Sequence, residues 1–194
     1  MSFDPRHEDY LRLSLRFSHT LDDMPSQEAI RAFTSFGRRF ARERDSLPQT
    51  DADRAFHLVA KAATLIDYEL PFVEDEQRGH ELIDQGHRLL TEALSLDPSC
   101  ADAERMLAAS SQQSFEGFYE YLCIGEPEVQ RRCSEERDAV NTQGRDERAV
   151  LARDLAMRPY LRWLANLASQ ALICGHNRKA LHACTQALHT DPTE

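Results

Sequence analysis

Apolar side chains recur along this chain at intervals of three and four residues, the period that gathers them on one face of an α-helix. Over about 7–21, Tyr10, Ser14, Phe17 and Leu21 form one stripe with Leu11 beside it. Over about 26–45, Ile30, Phe33, Phe36, Gly37 and Phe40 share a face opposite Arg31, Arg38 and Arg42. Leu47-Pro48 ends that segment, because proline has no N–H to donate and clashes with the preceding turn. Thr50 and Asp53 have the spacing of a capping box, with Asp in place of the usual Glu. The helix they open carries Ala55, Phe56, Val59, Ala62, Ala63 and Ile66 and is stopped by Pro71. A long helix over about 74–96 shows Leu82, Ile83, Gly86, Leu89, Leu90, Ala93 and Leu94 and stops at Asp97-Pro98, with Ser99 and Asp102 reading as the next cap.

The second half continues with helices over about 100–112 and 114–123, a break at Gly125-Glu126-Pro127 and a highly charged helix over about 127–140. Asn141-Thr142-Gln143-Gly144 reads as a loop. A helix over about 145–156 runs to Arg158-Pro159, where a break or kink is expected. A final pair, about 159–174 and 177–190, is divided by Gly175.

Composition agrees with an all-α fold. Leu and Ala supply 46 residues against 10 for Val and Ile together, and β-branched side chains lose more freedom in helices than the former do. Seven glycines and eight prolines are too few to punctuate a many-stranded sheet. The net charge is −10 and lies wholly in residues 51–194, which hold 25 acidic and 15 basic side chains; residues 1–50 hold eight of each. So acidic a surface repels phosphate backbones, which argues against nucleic acid as a partner. The basic residues are 21 Arg and two Lys, a bias suggestive of a GC-rich bacterial gene. Five cysteines with no Cys-x-x-Cys pair, and no N-terminal apolar run suited to a signal peptide or membrane span, lead to the expectation of a cytoplasmic protein with reduced thiols and no membrane partner.

The C-terminal stretch carries a more specific pattern. Leu164, Leu167, Ala168 and Ala171 precede a turn at Gly175, and Ala180, Cys184 and Ala187 lead to Pro192. This stretch, 159–192, resembles a tetratricopeptide (TPR) repeat, a helix–turn–helix unit of about 34 residues. It departs from the pattern at Ala171 and Cys184, where the family usually has aromatics. Ala93 and Pro98 stand in the same relation as Ala187 and Pro192, but the two prolines are 94 residues apart. Two lengthened hairpins of roughly 47 residues, divided near Gly144, fit that gap better than regular repeats. The segments Arg158-Pro159-Tyr160-Leu161-Arg162 and Leu96-Asp97-Pro98-Ser99-Cys100-Ala101-Asp102-Ala103 also look like those of TPR proteins related to the suppression-of-tumorigenicity family. The resemblance implies helical hairpins stacked as an irregular TPR-like α-α superhelix over 51–194, with residues 1–50 forming N-terminal helices that pack on the array.

The same resemblance implies a binding scaffold. First helices of successive TPR repeats line a groove, and the register places Arg162, Asn166 and Ser169 there, with Arg105 and Gln112 as equivalents in the preceding unit. An Arg and an Asn one turn apart can hold a carboxylate or a peptide backbone. TPR arrays finish with a polar capping helix, whereas this chain stops shortly after Asp191-Pro192. The expectation is either a truncated array or an uncapped C-terminal face that meets another subunit as a homodimer.

Enzyme-like chemistry is thinly represented. His80, Asp84 and His87 share a helical face at i, i+4 and i+7, the starting point of a metal-binding or metal-dependent hydrolytic reading, but a site needs further converging ligands. Cys174, His176, His182, Cys184 and His189 crowd together in sequence; in the repeat register Cys184 points into the hairpin core and His182 and His189 away from it. No P-loop, dinucleotide glycine motif or Gly-x-Ser-x-Gly occurs. Arg38, Arg39, Arg42 and Arg44 beside Phe36 and Phe40 could form a membrane-surface patch, although the aromatic spacing equally fits a core-facing stripe. The resulting expectation is a protein- or peptide-binding scaffold with no cofactor and no catalytic residues.

Overall fold

The structure, a computed structural model, describes residues 4–140 and 147–190. The Asn141–Gly144 loop and the Asp191-Pro192 ending lie outside the described residues. Among those described, every regular element is helical, with eight α-helices: α1 (Pro5–His19), α2 (Ser26–Glu43), α3 (Asp51–Ala63), α4 (Glu76–Leu96), α5 (Ala101–Ser111), α6 (Phe115–Ala139), α7 (Glu147–Ile173) and α8 (Asn177–Thr190). The chain is all-α. Neighbours in sequence pack on one another, α3 on α4, α6 on α7 and α7 on α8, while α1 joins α2, α3 and α7.

The helix starts follow local chemistry. Asp4 caps α1 by accepting from the backbone N–H groups of Arg6 and His7, with Pro5 in the first turn where its missing donor costs nothing. At α3 the Thr50–Asp53 capping box forms in both directions. The cap expected from Ser99 and Asp102 does not form. Cys100 occupies the N-cap without a side-chain bond, Ser99 turns back to Asp97, and Asp102 is drawn into the interior.

Two expected breaks are continuous helix. α6 runs through Gly125-Glu126-Pro127 and α7 through Arg158-Pro159. A proline inside a helix leaves the carbonyl four residues earlier without its donor. At Pro159 that carbonyl belongs to Leu155, and it accepts instead from Arg12 Nη2 at 3.2 Å. At Pro127 the neighbouring turn is stitched from α7, with Trp163 donating its indole N–H to Leu122 O at 3.0 Å and Tyr160 its hydroxyl to Glu126 at 2.6 Å. Gly125 makes the fit possible, because a Cβ there stands 2.6 Å from Trp163 Cζ2. The Gly-Glu-Pro triplet is thus the seat of the buried indole.

Three apolar cores result among the described residues. The largest joins α5, α6, α7 and α8 around Trp163, Tyr160, Leu122 and Leu164. A second lies among α3, α4 and α5, with Val59, Leu90, Ala93 and Ala103. The third lies between α1 and α2, where Phe17 stacks on Phe36 at 4.7 Å and Tyr10 meets Phe40 edge-on at 5.1 Å. The apolar stripe of α1 therefore packs on α2, but the most buried positions of α1 also include Glu8 and Asp9, outside that stripe.

After Ala63 the α3 helix widens to a π-helical segment, Thr64–Glu69, then a short 3₁₀ turn at Leu70–Phe72. Gly86 on α4 receives Ile66 of this segment, since a Cβ at Gly86 stands 2.8 Å from Ile66 Cδ1.

Gly125→Ala tests the indole seat. In an exposed helix this change stabilises by roughly 1 kcal/mol. Here the added methyl meets a fully buried ring, and overpacking costs about 1–3 kcal/mol. A lowered urea midpoint with an unchanged slope is expected; a raised midpoint counts against the close approach.

Candidate functional site

The groove residues expected from the repeat register do not all face solvent. Arg162 lies between α1 and α5, donating Nε to Asp102 at 2.7 Å and Nη1 to Glu8 at 2.8 Å. Arg105 reaches the same Asp102 at 3.3 Å. The carboxylates that these two arginines bind therefore include the chain's own. Asn166 bonds locally to the Arg162 carbonyl at 3.0 Å, and Ser169 and Gln112 are exposed. Arg12 and Arg158 also approach Glu8, and the Arg12 guanidinium lies 4.2 Å from the centre of the Phe56 ring. Glu8 and Asp102 are 1 % and 2 % exposed. Burial alone pushes Asp102 up, but the charges of Arg162, Arg105 and Arg12 outweigh it and hold the carboxyl below the usual range.

A second ionic group borders a cleft. The capping box fixes the start of α3, and from there Asp53, His57, Lys61 and Thr64 recur along one side of the helix and its π-helical extension. Asp9 of α1 meets this side. Its carboxylate accepts from Arg44 Nε at 3.0 Å and Nη2 at 2.6 Å, and lies 2.8 Å from His57 Nδ1. With Asp9 ionised, that ring nitrogen carries the proton, leaving Nε2 3.7 Å from Asp45. Burial pushes Asp9 up, yet the bonds from His57 and Arg44 dominate and its carboxyl stays low. Arg44 also donates to Gln49 and to the Asp53 carbonyl. It is thereby taken out of the exposed basic patch considered for Arg38, Arg39, Arg42 and Arg44. The cleft above has a volume of about 520 Å³, with Phe40, Ala60, Leu65 and Leu89 on its apolar side and Arg6, His57, Lys61, Glu69 and Gln85 among its polar lining.

Sequence periodicity missed this cleft because its ionic floor pairs residues 35 and 48 positions apart. The one local signal was a polar stripe on α3 opposite its apolar one. A further cavity of about 410 Å³ includes Cys100 and Cys133 in its lining. Burial first, with nearby carboxylates, pushes both thiols up to about 11, so they are neutral and weakly nucleophilic near pH 7.

His80 is exposed, with Nδ1 2.8 Å from the Glu76 carbonyl; Asp84 is exposed and His87 half-buried. Among the described residues no group of three or more His, Cys, Asp and Glu is placed to hold a metal. No described helix is long and apolar enough to cross a membrane.

At the α7–α8 end, Leu164, Leu167, Ala168 and Ala171 pack against Ala180 and Ala183, and Gly175 turns the chain with φ +80°. Cys184, expected in this hairpin core, is exposed. The buried row on α8 is Ala180, Ala183 and the half-buried Ala187, which turns Cys184 outward. Leu181 and Leu188 point outward with it, 69 % and 53 % exposed, and Leu172 and Ile173 at the end of α7 are also more than half exposed. Comparison with known family models, curated proteins and solved structures finds no match to this chain.

Two outcomes test the ionic spine. Arg162→Ala leaves two buried carboxylates short of their main partner and is expected to cost about 3–5 kcal/mol of stability, read from the urea midpoint; a loss under 1 kcal/mol places the network in water. The depressed Asp9 and Asp102 values also set a pH dependence. Their contribution is complete above the unfolded carboxylate value of about 4 and is lost as pH falls through the lower folded values. Asp102→Asn is expected to be less stable at pH 7 and to show a shallower acid decline; parallel pH curves for the two proteins contradict this.

Proposed function

We propose that this chain is a protein-binding helical scaffold of TPR-like build, without catalytic chemistry of its own, and that it receives an amphipathic helix of a partner protein along the outer face of α8. The exposed row on α8 carries this reading. Leu181 and Leu188 lie two turns apart with Cys184 and Thr185 between them, and Leu172 and Ile173 at the end of α7 are exposed as well. Large apolar side chains left exposed on one helix face are a common mark of an interaction site. In a helical-repeat array each unit buries such a face against the next, and a partner helix would supply the same cover.

Charge selects the kind of helix. Residues 177–190 contain Arg178, Lys179, His182 and His189 and no carboxylate, in a chain of net charge −10. An acidic amphipathic helix complements that row, and a basic one is repelled by it. The Arg162–Arg105 pair takes a supporting part, holding α1, α5 and α7 in fixed relation.

Two synthetic helices with identical leucine positions, one with Glu and one with Lys on the polar face, test the proposal by fluorescence anisotropy. Saturable binding of the Glu helix is expected, at least about ten-fold tighter than the Lys helix and abolished in Leu181→Glu/Leu188→Glu. Failure of both peptides to bind, or equal binding by the double variant, overturns it. Sedimentation velocity on the chain alone separates the remaining case, because a dimer made monomeric by the double variant assigns the face to a second copy instead.

A further inference from the structure

We propose that the cleft between α1, α3 and α4 is a binding site for a small monocarboxylate with an apolar body. Lys61 and Arg6, with the His57 edge, hold the head group. The body lies against Phe40, Ala60, Leu65 and Leu89.

The lining carries three cations, Arg6, Arg44 and Lys61, and two carboxylates, Asp9 and Glu69. Asp9 and Arg44 neutralise each other through two hydrogen bonds, with side chains 4 % and 9 % exposed. That pair is a built, rigid floor and offers no free charge. What remains is Arg6 and Lys61 against Glu69, with His57 positioned by Asp9 and the exposed Asp45 beside its far nitrogen. Neither the Lys61 ammonium nor the Arg6 guanidinium has an ion-pair partner among the described residues. With the Asp9–Arg44 pair set aside, the lining carries two cations against one carboxylate, and this net positive charge beside an apolar wall, in a chain of net charge −10, favours an anionic guest.

Size and field narrow the class. About 520 Å³ falls in the range of small-molecule sites. An adjoining cavity of about 540 Å³ shares Arg6 and Thr64 and continues past Pro5 and Tyr68. Asp4, which lines that extension, already has Oδ1 occupied by the N–H groups of Arg6 and His7. The long-range negative field of the chain opposes polyanions, whereas a single charge with a substantial apolar body gains from burial against Leu65 and Leu89. The π-helical segment Thr64–Glu69 forms one wall. Such insertions recur at functional sites, and here Gly86 of α4 accommodates it by admitting Ile66.

Titration of the full chain with decanoate, followed by calorimetry and by ¹⁵N–¹H correlation spectra, tests the site. One-to-one binding is expected, with perturbations at Ala60, Leu65 and Leu89. 1-Decanol and inorganic phosphate should each bind at least about ten-fold more weakly, one lacking the charge and the other the body. Lys61→Glu and, separately, Arg6→Glu should weaken decanoate about ten-fold or more with unchanged melting temperature, and Lys179→Glu on α8 should not. The proposal is overturned by absent saturation, by decanol or phosphate binding as tightly as decanoate, by no effect of both cleft variants, or by perturbations confined to Leu181 and Leu188. That last result identifies adsorption to the α8 face. Partner-helix binding at α8 can fail while decanoate binds, so the two proposals fall separately.

Discussion

Glu8 and Asp9, adjacent on α1, are the charged pair around which the interior is organised. Two neighbouring carboxylates cannot be buried unless each finds cations, and their side chains diverge by about 100° around the helix. Glu8 therefore collects Arg12, Arg158 and Arg162, and Asp9 collects Arg44 and His57. The first set ties α1 to α7 and, through Asp102, to α5; the second ties α1 to the end of α2 and to α3. Desolvating so many charges gives little net stability. What the arrangement does provide is orientation, since the buried carboxylates are compensated only when α1, α3, α5 and α7 bring their partners together.

The same network repairs backbone defects. Arg12 pairs with Glu8, lies over the Phe56 ring and fills the Leu155 carbonyl vacated by Pro159. α7 can therefore continue as one helix from Glu147 to Ile173, carrying Trp163 into contact with Gly125. The long α6–α7 pair and the largest core depend on these two local accommodations. With α7 fixed in this way, α8 packs on its C-terminal half through small residues and leaves its leucines outward.

The two proposed sites lie on opposite consequences of this construction. At the cleft, ionic pairing consumes the buried charges and leaves Arg6 and Lys61 over at the rim. At α8, apolar packing consumes alanines and leaves Leu181 and Leu188 over. In each case the groups available for binding are those that the fold itself does not use.

Periodicity in the sequence determined that the chain is helical, and located most helix starts and ends, because the 3.6-residue repeat and the capping chemistry of Thr50 or the turn at Gly175 are local properties. Tertiary structure alone decided whether Pro127 and Pro159 break their helices, since Trp163, which bonds to Leu122 in the turn before Pro127, and Arg12, which fills the Leu155 carbonyl left by Pro159, stand 36 and 147 residues away from those prolines along the chain. It also decided that Glu8, Asp9 and Asp102 are interior groups. A charged residue reads as solvated until its partners are known, and theirs stand on other helices. The expected core position of Cys184 turned on one residue of helical phase, about 100°, which packing of Ala180 and Ala183 against α7 set and sequence spacing did not.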